Sequence, residues 1–347
     1  MLKLLKSLVL PAKKASKPDL GLSLAPPAHV EAAGGARLEL GSVLRAGTAF
    51  PVLDWDRVQA WVNSLPDEAA QAAAWSASEL AWMAHLRAAL GGDYLLRSQG
   101  SAVLLSTLPE PLAAATLDFV NKTVQRVLRV LEGVAEQPAW GHDLLIVFED
   151  EEAYYRYVAH YYPEAGEFAA SSGMYINHGC GHFVTVKDDL RTVEPVIAHE
   201  LTHACLSHLP IPAWLNEGLA VNTEHRLCPP LQAPADPWQL HARHRKFWGP
   251  AEIQEFWSGK SFLRTDEGNE LSYDLARILV SQFAADWERF RPFAAAANLA
   301  DAAAAAAEEH LGIELGAAVC AVLQQEPDAA WSPRPEAWKS EPERGAF

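Results

Sequence analysis

His199-Glu200-Leu201-Thr202-His203, preceded by Val196-Ile197-Ala198 and followed by Ala204-Cys205-Leu206, is the stretch on which the reading of this chain turns. On a helix, residues four apart stand one above the other, so the imidazoles of His199 and His203 converge on one point. Glu200 lies about 100° further round, offset from that pair. Two imidazoles at this spacing with an adjacent carboxylate suit a metal ion with a base beside it. Val196, Ile197, Leu201, Ala204 and Cys205 make the rest of the segment apolar and hence buried, where imidazoles and a carboxylate without partners are costly. A shared metal ion supplies the partner. The helix is predicted from about Thr192 to His208, with Pro195 in its first turn and Pro210 and Pro212 beyond its end.

A third ligand belongs on a neighbouring element. Trp214-Leu215-Asn216-Glu217-Gly218-Leu219-Ala220 opens a new helix after the proline-marked turn, with Glu217 on its first turn. Two histidine nitrogens and one carboxylate oxygen leave the fourth position of a single Zn²⁺ ion open to water, the requirement for a catalytic rather than a structural site. Glu200 beside that position is the candidate general base. Glu224, seven residues after Glu217 and so on the same helix face, is a candidate acceptor for the free N–H of a ligand histidine, and Asn216 is a second such outer partner.

Working outward, residues 11–50 are rich in Pro, Gly, Ala and Lys without a sustained period, so residues 1–50 are expected as a flexible or extended arm. Residues 51–91 read as a helical module, with Trp55, Val58, Trp61 and Val62 on one face and Gly91-Gly92 closing a second run. Two short strands are expected at Tyr94–Arg97 and Ala102–Leu105. A long amphipathic helix follows, at about Pro111–Val134, with Leu117, Val120, Val124, Val127 and Leu131 at helical spacing. His142–Phe148 reads as a buried strand, Glu151–Tyr162 as a helix, and Met174–Ile176 with Phe183–Val186 as a hairpin around Asn177–Gly181. Beyond Glu270 the chain reads as helical, including the alanine tract 302–307, and residues 329–347 as a tail. The fold class that follows is α+β: a small mixed sheet whose edge hairpin packs on the His199–His203 helix, a mostly helical C-terminal lobe, and a helical N-terminal extension.

A chain of 347 residues with half its residues hydrophobic can bury a substantial core. The net charge of −16 excludes nucleic acid as a general partner, because most of the surface repels a polyanion. No apolar run is long enough to span a membrane. The first 17 residues, with Lys3, Lys6, Lys13, Lys14 and Lys17, form a basic amphipathic arm able to touch an anionic membrane peripherally. Four cysteines without framework spacing fit a reducing, cytoplasmic setting.

The pairing of His199-Glu200-x-x-His203 with Trp214-Leu215-Asn216-Glu217-Gly218-Leu219-Ala220 resembles the gluzincin metallopeptidases, in particular the peptidase MA-like domain. The resemblance covers about residues 94–325, within a domain drawn at 92–328. It implies one Zn²⁺ held by His199, His203 and Glu217, with Glu200 as general base in peptide-bond hydrolysis. It further implies that Tyr273, in Ser272-Tyr273-Asp274-Leu275-Ala276, hydrogen-bonds the tetrahedral oxyanion. Gly173-Met174-Tyr175-Ile176-Asn177 stands where related aminopeptidases carry a Gly-x-Met-Glu-Asn edge strand whose glutamate binds the substrate amine. No glutamate occurs in that stretch here. An endopeptidase or narrow processing enzyme is therefore expected rather than an aminopeptidase, with Gly173, Met174 and Tyr175 pairing with an extended peptide or protein substrate.

The alternative is a zinc-bearing module that holds a peptide or protein without turning it over. Two other clusters are discounted. His178, Cys180 and His182 sit in a glycine-flanked turn and are not expected to hold a second metal. His241–Lys246 reads as a solvated basic helix face with an aromatic anchor.

Overall fold

Alternation of side chains along the strands decides how the sheet is covered. In the computed structural model, which describes residues 25–45, 50–161, 173–229 and 236–338, five strands form one sheet. They are β3 (Leu95–Gln99), β4 (Ala102–Ser106), β5 (Asp143–Phe148), β6 (Gly173–His178) and β7 (Cys180–Val186), in the order β3-β4-β5-β7-β6. The pairs β4–β5 and β5–β7 are parallel, and the outer pairs β3–β4 and β6–β7 are antiparallel. Ala102, Leu104, Leu145, Val147 and Phe183 enter one core, while Val103, Leu105, Leu144, Ile146 and Val184 enter another on the opposite face. Both faces are buried, which is why β4 and β5 read as near-continuous apolar runs. The fold is α+β with a helical C-terminal region.

The first core is built by α4 (Glu110–Val130) and α6 (Leu190–Leu206), backed by α7 (Ala213–Leu227), α9 (Pro250–Ser258) and α10 (Glu267–Phe283). The apolar stripe of α4 is buried as its spacing requires: Leu117, Val120, Val124 and Val127 are each at most 3% exposed. The second core contains α2 (Trp55–Asn63), α3 (Glu68–Leu90) and α5 (Glu151–Tyr161). The N-terminal helices thus cover the far face of the sheet, with Trp55 and Trp82 beneath the β6–β7 hairpin. A side chain at Gly179 (φ +79°) would strike Trp55.

Several sequence expectations need correction. Within the expected arm, His29–Glu31 (β1) and Arg37–Glu39 (β2) form an antiparallel hairpin, and Leu40–Val43 (α1) a helical turn. Val30, Leu38, Leu40 and Val43 supply its anchoring apolar contacts to the second core. The basic segment 1–17 lies outside the described residues. Helix α6 starts at Leu190, capped by the Asp189 carboxylate on the Arg191 amide at 2.9 Å, so Pro195 falls inside it rather than in its first turn. The alanine tract is not an unbroken helix. Ala302 and Ala303 are left-handed (φ 53° and 68°) and fully buried at a corner where Asp301 Oδ1 accepts the Ala303 amide and Trp214 Nε1 donates to the Ala302 carbonyl. Tertiary bonding there outweighs alanine's helix propensity. Of the expected tail, residues 329–338 pack onto α9, with Trp257 Nε1 donating to the Trp331 carbonyl at 2.8 Å.

The discounted clusters have structural partners. His182 is buried, with Nε2 2.8 Å from the Tyr157 hydroxyl and Nδ1 2.8 Å from the Cys180 carbonyl. Burial pushes its pKa down to about 4. The unfolded chain therefore binds the proton more readily. Stability is full above pH 6.5 and is lost as pH falls toward 4, by on the order of 3 kcal/mol. Urea titrations of wild type and His182→Gln across that window test this; the variant's slope with pH should be flatter, and equal slopes would remove His182 as the cause. In the basic cluster, carried on α8 (Pro237–Phe247), Arg243 pairs with Glu267 and Glu270 while His244 is buried between Asp274 and Trp248. Among the described residues no helix is long and apolar enough to cross a membrane.

Candidate metal centre

Helix α6 rests on the sheet through Ile197 and Leu201, and this fixes its rotation so that His199 and His203 face away toward α7. Edge strand β6 lies close over α6, because a side chain at Gly173 would come within 2.7 Å of Val196. Helix α7 begins at Ala213, so Glu217 sits one turn in, rather than on the first turn. Its approach to α10 depends on Gly218, where an added Cβ would lie 2.6 Å from the Ala276 carbonyl oxygen. Asn222 locks the same contact by donating to the Gly218 and Arg277 carbonyls. This close packing of α7 on α10 brings Tyr273 to the histidines, its ring centre 6.4 Å from that of His199.

His199 Nε2 lies 3.2 Å from Glu217 Oε2, and His203 Nε2 lies 3.4 Å from the same oxygen. All three donor atoms fall within 4.8 Å of one another, and they are the one group of this kind among the described residues. For a tetrahedral ion with bonds near 2.0–2.1 Å, neighbouring donors stand about 3.3 Å apart, so two of the three edges already have the spacing Zn²⁺ requires. The opposite ring nitrogens are fixed. His199 Nδ1 is 3.1 Å from Glu224 Oε2, and His203 Nδ1 is 3.0 Å from Asn216 Oδ1. Both acceptors require a proton on Nδ1, which leaves each Nε2 as the atom able to bind a metal ion. The donor set fits the ion.

Charge within the cluster follows from these contacts. Burial disfavours the His199 imidazolium, but its bonds to Glu217 and Glu224 prevail and hold its pKa well above the ordinary value. His203 is likewise raised: burial opposes, and Glu217 outweighs it. Burial also works against the Glu217 carboxylate, yet the two imidazoles keep its pKa far below the usual range. The three groups share protons where a cation would fit, so a metal ion bound there would compete with protons and bind more weakly as pH falls. Glu200 is raised by burial, which the two histidines and a hydrogen bond from the Tyr175 backbone only partly offset. The Tyr273 phenol is raised first by the Glu217 charge and then by burial, which keeps it an O–H donor.

The expected site residues divide accordingly. His199, His203, Glu217, Glu200, Asn216, Glu224 and Tyr273 are brought together. Met174 instead packs into the opposite core and Gly173 is buried against Val196, so of the three β6 candidates only Tyr175 turns its side chain toward the Glu200 side. A cavity of about 340 Å³ opens beside Glu200, and part of its wall comes from Trp75 and Glu79 of α3. Nothing in the sequence signals that α3 reaches this place, since the contact spans more than a hundred residues.

The outer partners carry a specific expectation. Asn216→Ala and Glu224→Gln should each weaken metal binding by about 10–100-fold, read by chelator competition, while the fold persists. Unchanged affinity in both would show that the Nδ1 contacts do not orient the ligands. No protein-family model and no curated protein matches the chain. The functional reading therefore rests on this geometry.

Proposed function

We propose that the protein is a zinc-dependent metallopeptidase, an endopeptidase or narrow processing enzyme rather than an aminopeptidase. The observation that carries this reading is the pair of imidazoles whose Nδ1 atoms are held outward by Glu224 and Asn216 and whose Nε2 atoms face Glu217 at tetrahedral spacing, with Glu200 beside them. Zn²⁺ bound by His199, His203 and Glu217 would supply a Lewis acid that polarises a carbonyl and lowers the pKa of water.

The chain's own residues divide the remaining work. Glu200, 8% exposed and with a raised pKa, takes a proton from the attacking water and returns it to the leaving amine. The backbone of Tyr175 hydrogen-bonds the Glu200 carboxylate and holds it against β6. Tyr273 keeps its proton and donates to the oxyanion as charge develops, a contact stronger in the transition state than in the ground state. Among the described residues β6 pairs with β7 alone, and its other edge is the one to receive an extended peptide. No glutamate occurs in Gly173–Asn177 to bind a substrate amine, which favours internal cleavage over an aminopeptidase. Four free cysteines, three of them buried, support a reducing, cytoplasmic setting.

Incubation of the zinc-loaded protein with casein-derived peptides tests the proposal. Products that vanish with a chelator and return with Zn²⁺ are expected. Stoichiometric zinc with no cleavage of any peptide would instead make the protein a zinc-bearing binding module.

A further inference from the structure

The cavity beside Glu200 has a chemistry that the hydrolytic centre does not use. It lies between α6 and the sheet, and none of the three metal-ligand candidates lines it. Trp75, Trp140 and Phe183 give it aromatic walls, and Glu79 and Asp143 bring carboxylates to it. Among the described residues no lysine or arginine lines it, and the one base that does is His142, whose Nδ1 is already bound to Glu79 Oε2 at 2.8 Å.

The cavity also holds acceptors with nothing to accept. Asp143 Oδ2 takes the Ser101 hydroxyl at 2.6 Å, while its other oxygen takes no hydrogen bond from a described residue. The Tyr175 hydroxyl, packed over Gly181, makes no hydrogen bond to a described residue either. Burial raises the pKa of both Glu79 and Asp143, and His142 only partly offsets it.

We infer that this cavity holds a lysine or arginine side chain of the bound peptide. An ammonium brings three donors and a guanidinium five, with no acceptor, which is the complement of the unused oxygens. The alkyl stem of either residue packs on apolar wall while its head reaches the unused Asp143 oxygen and the Tyr175 hydroxyl; both Glu79 oxygens are already taken, by Trp75 Nε1 and by His142. About 340 Å³ accommodates such a side chain. Glu200 and Tyr175 line the same cavity, so the cation lies next to the reacting bond. This inference rests on the peptidase reading for its substrate and assigns the N-terminal helices a role in selectivity, through Trp75 and Glu79.

Calorimetric titration with N-acetyl-arginine amide and its neutral isostere N-acetyl-citrulline amide tests the cavity without any turnover. Wild type should prefer the arginine compound by at least about tenfold, the value of one charge-assisted hydrogen bond. Asp143→Asn should lose most of that preference, and Tyr175→Phe, which keeps the ring, should lose part of it. Tyr175→Phe carries the test if Asp143→Asn does not fold. Equal binding of the two compounds by wild type, or an undiminished preference in the folded variants, overturns the inference. A peptide library supplies the second arm, with cuts expected at a fixed distance from lysine or arginine. Cuts indifferent to those residues overturn the cavity assignment and leave the peptidase. Selective arginine binding without cleavage of any peptide sinks the peptidase and leaves the cavity.

Discussion

Glu200→Gln is expected to lower peptide cleavage by about 10²–10⁴-fold while leaving the zinc content at one per chain. The substitution is nearly isosteric and removes only the ability to take and return a proton. The backbone bond from Tyr175 can still be accepted by the amide oxygen, so the side chain stays in place. Glu200 lies outside the group that could hold a metal ion, which is His199, His203 and Glu217. Loss of activity with metal retained therefore separates the proton-transfer role from a structural one. Loss of zinc in the same variant would mean that Glu200 ligates the metal. Retained cleavage would mean that another group is the base.

Glu217→Ala should remove the metal altogether, the larger effect on binding. It deletes one of three donors and the carboxylate that both imidazoles share. Without it His199 and His203 stand part-buried with their Nε2 atoms facing an empty corner, while Glu224 and Asn216 still hold the other side. Zinc titration should find an affinity weaker than that of the Asn216→Ala and Glu224→Gln variants, whose losses stay within about 100-fold. The folded state should persist in the absence of metal, because Leu215, Leu219 and Gly218 continue to pack α7 against its neighbours. An unchanged affinity would exclude Glu217 from the metal shell.

The sequence made the local part of this site legible because local spacing encodes it. Residues 199 and 203 share a helix face by geometry alone, and Glu217 and Glu224 share another. Tyr273, seventy or more residues from either histidine, is reachable only through the resemblance to gluzincins, and what places it there physically is the missing side chain at Gly218. The sheet's strands were legible from their apolar runs, though their pairing was not. Three features had no local signal. The alanine corner at 302–303 is set by Trp214 and Asp301, against the propensity of its own residues. The hairpin at 29–39 is too short to show a period. The covering of the second sheet face by α2 and α3 depends on contacts such as Trp55 against Gly179, which no window of sequence contains.

One measurement tests the central claim most directly: zinc stoichiometry and peptide-library cleavage, determined together on wild type and Glu200→Gln before and after chelation. The account predicts one zinc per chain in both proteins, with chelator-sensitive cleavage by wild type and almost none by the variant. Wild type without stoichiometric zinc, or cleavage that survives either chelation or the loss of the Glu200 carboxylate, would contradict it.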